Sequence, residues 1–167
     1  MATAKQYVTV ERAGKVVYEG FALNDMVAHG IARMVDIEVH GDDQLITRFS
    51  GDGIIVNTPT GSTAYSMAAG GPIIEPTVRA LSVTPVCAHA LYAKSFVLSP
   101  DRVVTIGITL SGGKRGYLSV DGSSFDLEDG DQIRVTESRH VTRLVKCAER
   151  SFYQIVSEKL GEGVDLR

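Results

Sequence analysis

The sequence predicts a mainly β domain, an antiparallel β-sandwich-like fold with a short helix after the loop TPTGSTAY and a C-terminal helix. Two observations lead to this prediction. The apolar segments are short and bounded by Gly, Pro, Asp or Ser, which is typical of antiparallel sandwiches and barrels rather than of alternating β and α units. An apolar period of 3.6 residues occurs convincingly only near the end of the chain.

The strands are predicted from β-prone runs in chain order. Tyr7 to Arg12 and Lys15 to Ala22 are expected to form a hairpin across Ala13-Gly14. A second pair flanks the turn at residues 40–43, with apolar positions Met34, Ile37 and Val39 before it and Leu45, Ile46 and Phe49 after it. Further strands are predicted at Ile54 to Val56, Ser95 to Leu98, Val103 to Leu110, Gly116 to Val120, Gln132 to Thr136 and Val141 to Lys146.

Two helices complete the prediction. A short one is expected from Ser62 to Ala69, ended by Gly70-Gly71-Pro72. In the C-terminal helix one face carries Phe152, Ile155, Val156 and Leu160, with Ser151 as a cap and Gly161 as a stop. We expect residues 1–167 to form one domain.

Charge and hydropathy exclude several classes of partner. The 17 basic and 20 acidic residues give a net charge of -3 without a cluster of Lys and Arg, so nucleic acid is not an expected partner. The apolar runs are far shorter than the roughly 20 residues of a membrane helix. No apolar run near the N-terminus resembles a secretory signal, so a cytoplasmic location is expected.

Cysteine, histidine and acidic residues do not predict a metal site. Cys87 and Cys147 lie far apart, and we expect two reduced, largely buried thiols. The acidic residues around Gly130 are predicted to form a solvated turn rather than a calcium loop. The Gly112-Gly113-Lys114 segment is predicted to be a hairpin turn, since it lacks the flanking residues of a phosphate loop. Metal-ligand spacing is also missing between the histidines His29, His40, His89 and His140.

The stretch from Gly51 to Pro72, GDGIIVNTPTGSTAYSMAAGGP, carries the most chemical information. A buried strand leads into a loop rich in hydroxyls and backbone N–H groups and then into a helix start, where an anion or the edge of a heterocycle can bind. Tyr65 offers an aromatic face for stacking. From these residues alone two interpretations stay open, because Ser and Thr before a helix also serve as structural caps.

This stretch resembles the signature of the ATP- or polyphosphate-dependent NAD kinases. The match includes Asp52-Gly53, the block from Thr58 to Ser66, and Gly70-Gly71-Pro72. Flanking segments resemble family segments in the same order, and the resemblance covers nearly the whole chain. These segments are Ala22-Leu23-Asn24-Asp25, Thr84-Pro85-Val86-Cys87-Ala88-His89, Ser119-Val120-Asp121-Gly122 and Lys159-Leu160-Gly161-Glu162-Gly163.

The resemblance implies a dinucleotide ligand, with NAD as the substrate and NADP as the product of phosphorylation at the 2′-hydroxyl of the adenosine ribose. It places Asn24, Asp25, Thr63, Ala64 and Tyr65 at the adenosine end and adds Ala68 to the binding residues. It places Asp52, Cys87 and His89 near the nicotinamide end, contributed by the same chain or by a second subunit. Homodimers or homotetramers are expected on the same basis.

This sequence departs from the family pattern at two positions and in one motif. Asp25 stands where the family typically has Glu, which shortens the carboxylate arm by about 1.5 Å; Lys94 stands where an arginine is expected. The family's phosphate-binding pentapeptide Gly-Gly-Asp-Gly-Thr, which belongs to an N-terminal half, does not occur here. Magnesium and ATP or polyphosphate are therefore expected to bind only with that half, and no catalytic residue is predicted in this chain.

Three functions remain open at this point. The first is an NAD-binding domain that is not catalytic alone. The second is a working kinase that a separate chain with the N-terminal half completes. The third is a non-catalytic module that senses NAD or NADP or serves in assembly.

Overall fold

Two six-stranded antiparallel sheets face each other in the computed structural model, which describes residues 2–145 and 150–161. Sheet A contains, in spatial order, β2 (Lys15–Ala22), β1 (Ala2–Arg12), β12 (Gln132–Arg143), β9 (Val104–Thr109), β4 (Val35–Gly41) and β5 (Gln44–Gly51). Sheet B contains β11 (Ser123–Leu127), β10 (Arg115–Val120), β3 (Asp25–Ile31), β6 (Gly53–Asn57), β7 (Leu81–Val86) and β8 (Phe96–Leu98). The helices are α1 (Tyr65–Ala68), which follows a 3₁₀ turn at Thr60–Thr63, and α2 (Phe152–Gly161). The predicted mainly β fold is confirmed.

The core lies between the two sheets and follows from the alternation of side chains along each strand. In β4, Val35, Ile37 and Val39 are buried while Asp36 is exposed, as expected for a strand with one face on the core. All five residues of β6 are buried, because the segment after β6 covers the outer face of sheet B at this strand. The chain therefore builds a layer on one side of sheet B, and the predicted ligand-binding loop lies in that layer.

The predicted hairpins β1–β2 and β4–β5 are confirmed, with both Ala13 and Gly14 at positive φ in the first turn. Three strands, β3, β7 and β11, were not predicted. β12 is one long strand where two were predicted, and its pairing with β1 shifts register between Ala4 and Gln6; the predicted end at Lys146 lies outside the described residues. The hairpin prediction at Gly112-Gly113-Lys114 is wrong, because this turn joins β9 of sheet A to β10 of sheet B.

The C-terminal helix matches its prediction. Ser151 and Gln154 form a reciprocal cap, in which the Gln154 N–H donates to Ser151 Oγ at 3.2 Å and the Ser151 N–H donates to Gln154 Oε1 at 2.8 Å. Every residue of α2 is at least partly exposed. The helix predicted from Ser62 to Ala69 is instead a 3₁₀ turn followed by the single turn of α1. Within residues 2–145 and 150–161, no helix is long and apolar enough to cross a membrane.

The acidic residues around Gly130 are not the simple solvated turn that was predicted. Asp131 is fully buried, and Arg12 donates to both of its carboxylate oxygens at 2.8 Å. The Arg12 guanidinium also donates to Glu128 at 2.6 Å, while Asp129 accepts the Leu110 N–H at 2.6 Å. A buried carboxylate requires such a partner, so this cluster joins β1 to the turn before β12.

Candidate functional site

The turn at Asn24 and the loop that follows β6 are in direct contact. The backbone N–H of Thr58 donates to the Asn24 carbonyl at 2.9 Å, and the Thr58 hydroxyl donates to the Leu23 carbonyl at 2.6 Å. Gly61 packs so closely that a Cβ at its position would lie 2.5 Å from the Asn24 carbonyl carbon. Glycine is therefore required at this approach. The two motifs that were predicted to bind one ligand are neighbours in the fold.

The hydroxyls of this loop stabilise the loop itself. Ser62 Oγ donates to the Pro59 carbonyl at 2.7 Å and accepts the Ile74 N–H at 3.0 Å. Ser66 Oγ lies 3.2 Å from Thr84 Oγ1, and both serines are fully buried. Neither the 3₁₀ turn nor α1 has a side-chain cap. These hydroxyls are structural, but they connect separate segments instead of capping a helix as sequence reasoning suggested.

One face of β3 links the two ends of the candidate site. Met26 and Ala28 belong to the core between the sheets, so the alternating residues Asp25, Val27 and His29 lie on the outer face of sheet B. Val27 and His29 line a cavity of about 480 Å³ on this face. Asp25 lies about 14 Å from His29 along the strand, at a rise of about 3.4 Å per residue. The face is long enough for an extended ligand.

The cavity brings together residues from distant parts of the sequence. Asp52, Tyr65 and Cys87 line it, with Arg33 and Met34 from the connection between β3 and β4. Tyr65 is 49% exposed, which leaves about half of its side-chain surface available to a ligand. Three of the nine predicted binding residues therefore share one cavity. Its lining combines a carboxylate, an aromatic ring, a thiol and an imidazole.

The pKa values of the Cys87 thiol and the His29 imidazole are both shifted in the direction that favours the neutral form. A hydrogen bond with Asp52 raises the pKa of the Cys87 thiol above its ordinary value, and the charge of Asp52 and burial raise it further. Burial lowers the pKa of His29, although a hydrogen bond with the Gly30 backbone and the charge of Asp52 partly oppose the change. The His29 ring also packs on the Tyr117 ring, with centroids 3.7 Å apart. The raised pKa favours the thiol form of Cys87, which is a weaker nucleophile than the thiolate.

The pKa of the Asp25 carboxyl group, at the other end of β3, is shifted upward, whereas an ion pair with a cation would shift it downward. Burial raises the pKa of Asp25, and the negative charge of Asp121 raises it further. A group with a raised pKa is destabilised as an anion, so a hydrogen-bond donor from a ligand would relieve part of the cost. Ribose hydroxyls are donors of this kind.

The remaining predicted residues lie around this face. Thr63, Ala64 and Ala68 flank Tyr65, and both alanines are exposed. His89 is exposed and is not among the residues that line the cavity; its backbone N–H donates to the Ser50 carbonyl at 2.8 Å. The prediction that both thiols are buried is wrong for Cys87, which is exposed, and Cys147 lies outside the described residues.

Sequence reasoning missed His29, Arg33 and Met34 as parts of the site. Val27 and His29 follow Asp25 at intervals of two, so recognising β3 as a strand would have placed them on the same face. Arg33 and Met34 lie in a connection between sheets, where no periodic pattern applies. Their position follows from the tertiary fold alone.

Comparison with known proteins gives a consistent result. The family model for the ATP-NAD kinase C-terminal domain matches residues 23–147. The NAD kinase of Natranaerobius thermophilus is 41% identical over 165 residues, which covers 95% of this chain and 56% of that protein. The NAD kinase of Symbiobacterium thermophilum is 44% identical over 155 residues, which covers 91% of this chain and 54% of that protein. The chain thus spans about half the length of the curated relatives it matches.

Two solved structures share the fold. Yeast NADH kinase complexed with NADH has a TM-score of 0.89 and 29% identity, and the match covers 100% of this chain and 50% of that one. An NAD kinase from Archaeoglobus fulgidus in complex with ATP has a TM-score of 0.68 and 26% identity, and the match covers 84% of this chain and 53% of that one. In each comparison the match covers about half of the other chain.

Proposed function

We propose, from the premise that this chain belongs to the NAD kinase family as its C-terminal domain, that it binds NAD across the outer face of sheet B. The adenosine end lies at Asn24 and Asp25 and extends to Tyr65, which also lines the cavity and so borders both ends of the ligand. The nicotinamide end lies at the cavity with Asp52 and Cys87. The observation that carries the proposal is the single face of β3, on which Asp25, Val27 and His29 form a line between these two groups.

The chemistry of the two ends suits the two ends of the ligand. The Asn24 side chain offers both a donor and an acceptor to a base edge, and Tyr65 offers a stacking surface. The oxidised nicotinamide ring carries a positive charge, so the carboxylate of Asp52 favours it. The neutral Cys87 and His29 add no positive charge beside it. Self-association through this domain, as a homodimer or homotetramer, is part of the proposal.

A titration with NAD tests this assignment. Tyr65→Ala and Asn24→Ala should each weaken binding by about 1–3 kcal/mol, the cost of losing a stacking surface or leaving a polar partner unpaired. Tyr92→Ala is the matched control, since Tyr92 is 89% exposed and lies outside the cavity lining. If Tyr65→Ala and Asn24→Ala bind NAD as tightly as Tyr92→Ala does, and all three are folded by circular dichroism, the adenosine site is misassigned.

We also propose that the isolated chain makes no detectable NADP from NAD with magnesium and ATP or polyphosphate. Phosphoryl transfer depends mainly on aligning donor with acceptor and on neutralising charge around the phosphates. This sequence contains no Gly-Gly-Asp-Gly-Thr segment of the kind expected to do so. A general base such as Asp52 contributes only about 10²–10⁴-fold and cannot replace that positioning.

A coupled assay for NADP decides between a binding domain and a complete kinase. Adding a domain that carries the phosphate-binding pentapeptide should restore turnover. Turnover by the isolated chain that Asp52→Asn or Asp121→Asn abolishes would identify a complete enzyme, because a contaminating kinase would be insensitive to either substitution.

A further inference from the structure

We propose that Asp121 is a positioning residue for the candidate site, since its carboxylate sets the conformation of the turn that presents Asn24 and Asp25. This inference rests on the proposed binding of NAD. It concerns how the backbone of residues 23–25 is held, and Asp121 itself is assigned no contact with the ligand.

The carboxylate of Asp121 accepts hydrogen bonds from three consecutive backbone N–H groups. Oδ2 accepts from Leu23 at 2.6 Å, while Oδ1 accepts from Asn24 at 3.0 Å and from Asp25 at 3.2 Å. The Asp121 N–H in turn donates to the Asp25 carbonyl at 3.1 Å. Consecutive N–H groups that converge in this way form a binding site for an anion, and Asp121 supplies the anion from within the protein.

The location of Asp121 explains why this residue reaches the turn. β10 pairs with β3, and their last paired residues are Val120 and Met26. Asp121 and Gly122 then form the two-residue connection to β11, both at positive φ. Among residues other than glycine, Asp and Asn tolerate this conformation best. The hairpin therefore ends beside the turn between β2 and β3.

The same turn is fixed from its other side by Thr58. The carbonyl groups of Leu23 and Asn24 accept from the Thr58 hydroxyl and N–H, while the N–H groups are held by Asp121. Backbone donors and acceptors of the turn are thus satisfied by residues that directly follow two different strands of sheet B, β10 and β6. Because the Asp121 carboxylate already accepts hydrogen bonds from three backbone N–H groups, it is a poor candidate for a general base.

The test compares Asp121→Asn with Asp126→Asn. Asn keeps the shape and the positive φ but offers one uncharged acceptor in place of a carboxylate. Asp126 is the matched control, because it is exposed on the other strand of the same hairpin and its substitution removes the same charge. Calorimetry measures NAD binding, and hydrogen exchange of the ligand-free chain measures the amides of residues 23–25.

Asp121→Asn should weaken NAD binding roughly tenfold and speed exchange of these three amides by a similar factor, the range of a lost charge-assisted hydrogen bond. The amide exchange rates in β6 and the urea concentration at the midpoint of unfolding should be the same in Asp121→Asn as in Asp126→Asn. Unchanged protection at residues 23–25, or an equal loss of affinity in Asp126→Asn, would overturn the inference.

A second variant separates position from charge. Asp121→Glu keeps the charge but moves the carboxylate by one methylene, so affinity should stay reduced; full recovery would show that charge alone acts and that the positioning role is wrong. If the unmodified chain binds no NAD, the proposed function fails. The exchange measurement still reports whether Asp121 holds the turn, so the two failures are distinguishable.

Discussion

Replacing Gly61 by alanine is expected to destabilise the fold and weaken dinucleotide binding together. The added Cβ would lie 2.5 Å from the carbonyl carbon of Asn24 and 2.8 Å from its Cα, about 0.9 and 0.6 Å short of the 3.4 Å at which ordinary contact begins. These are backbone atoms of a residue whose carbonyl accepts a hydrogen bond from the Thr58 N–H and whose own N–H donates to Asp121, so they have no rotamer that avoids the clash. Overpacking of this kind typically costs about 1–3 kcal/mol.

The functional effect follows from the required movement. Relieving the contact shifts Asn24 by about 1 Å, enough to break the hydrogen bonds proposed between its side chain and NAD and to weaken NAD binding by at least about tenfold. Urea unfolding gives the change in stability, and calorimetry on the folded variant gives the affinity.

The control is Gly107→Ala. A Cβ at Gly107 meets only Gln132 Nε2, at an ordinary 3.5 Å, so this variant should be as stable as the parent or slightly more stable. If Gly61→Ala is as stable as Gly107→Ala and binds NAD like the parent, the close contact between the loop and the Asn24 turn does not exist in solution.

Three further predictions concern separate parts of the molecule. If the short carboxylate of Asp25 reaches the ribose, Asp25→Asn should weaken NAD binding, and if it does not, Asp25→Glu should strengthen it; unchanged affinity in both would remove Asp25 from the site. Although burial raises the pKa of Asp131, hydrogen bonds from Arg12 and the Glu128 N–H and the charge of Arg12 lower it overall. The ionised Asp131 therefore stabilises the fold at pH values above its usual pKa of about 4. This contribution is lost as the pH falls through the lower pKa that Asp131 has in the folded state. Asp131→Asn should cost about 1–3 kcal/mol at pH 7, because Arg12 is partly exposed and keeps its ion pair with Glu128. Urea unfolding should show this deficit shrinking in acid; a deficit independent of pH would contradict the assignment. Amides of α2 should exchange faster than those of β3 and β6, since every residue of α2 is at least partly exposed; equal protection in a monomer would show that its apolar face is covered.

The sequence was sufficient for the fold class and for strands with one buried face. β4 and β9 alternate apolar and polar residues because both belong to sheet A, and only one face of that sheet packs on the core. β7 was missed because all of its residues up to Pro85 are buried, so the alternation disappears, and Pro85 suggested a break. β3 was missed because its two core residues, Met26 and Ala28, give a weak periodic signal between Asp25 and Gly30.

For the site, a motif can identify residues that share a ligand, but the side-chain positions depend on pairing between distant strands. Gly53 of β6 pairs with Val86 of β7. Asp52 directly precedes Gly53 and Cys87 directly follows Val86, so this pairing brings Asp52 and Cys87 together at one end of sheet B. His29 joins them because it pairs with Gly53. These registers are set by tertiary packing, so spacing along the chain does not contain them.

The hydroxyls of the Thr58–Ser66 block show that members of one motif need not all be available to a ligand. Thr58, Ser62 and Ser66 are almost completely buried, and their hydroxyls bond to other parts of the fold. Replacing one of them by alanine would leave a buried partner unpaired, which costs about 1–3 kcal/mol through the fold. Weaker NAD binding in such a variant would therefore report movement of the loop. Only a substitution at an exposed member such as Tyr65 can weaken NAD binding without lowering the stability of the fold. Weaker binding at unchanged stability is therefore the result that identifies a direct contact.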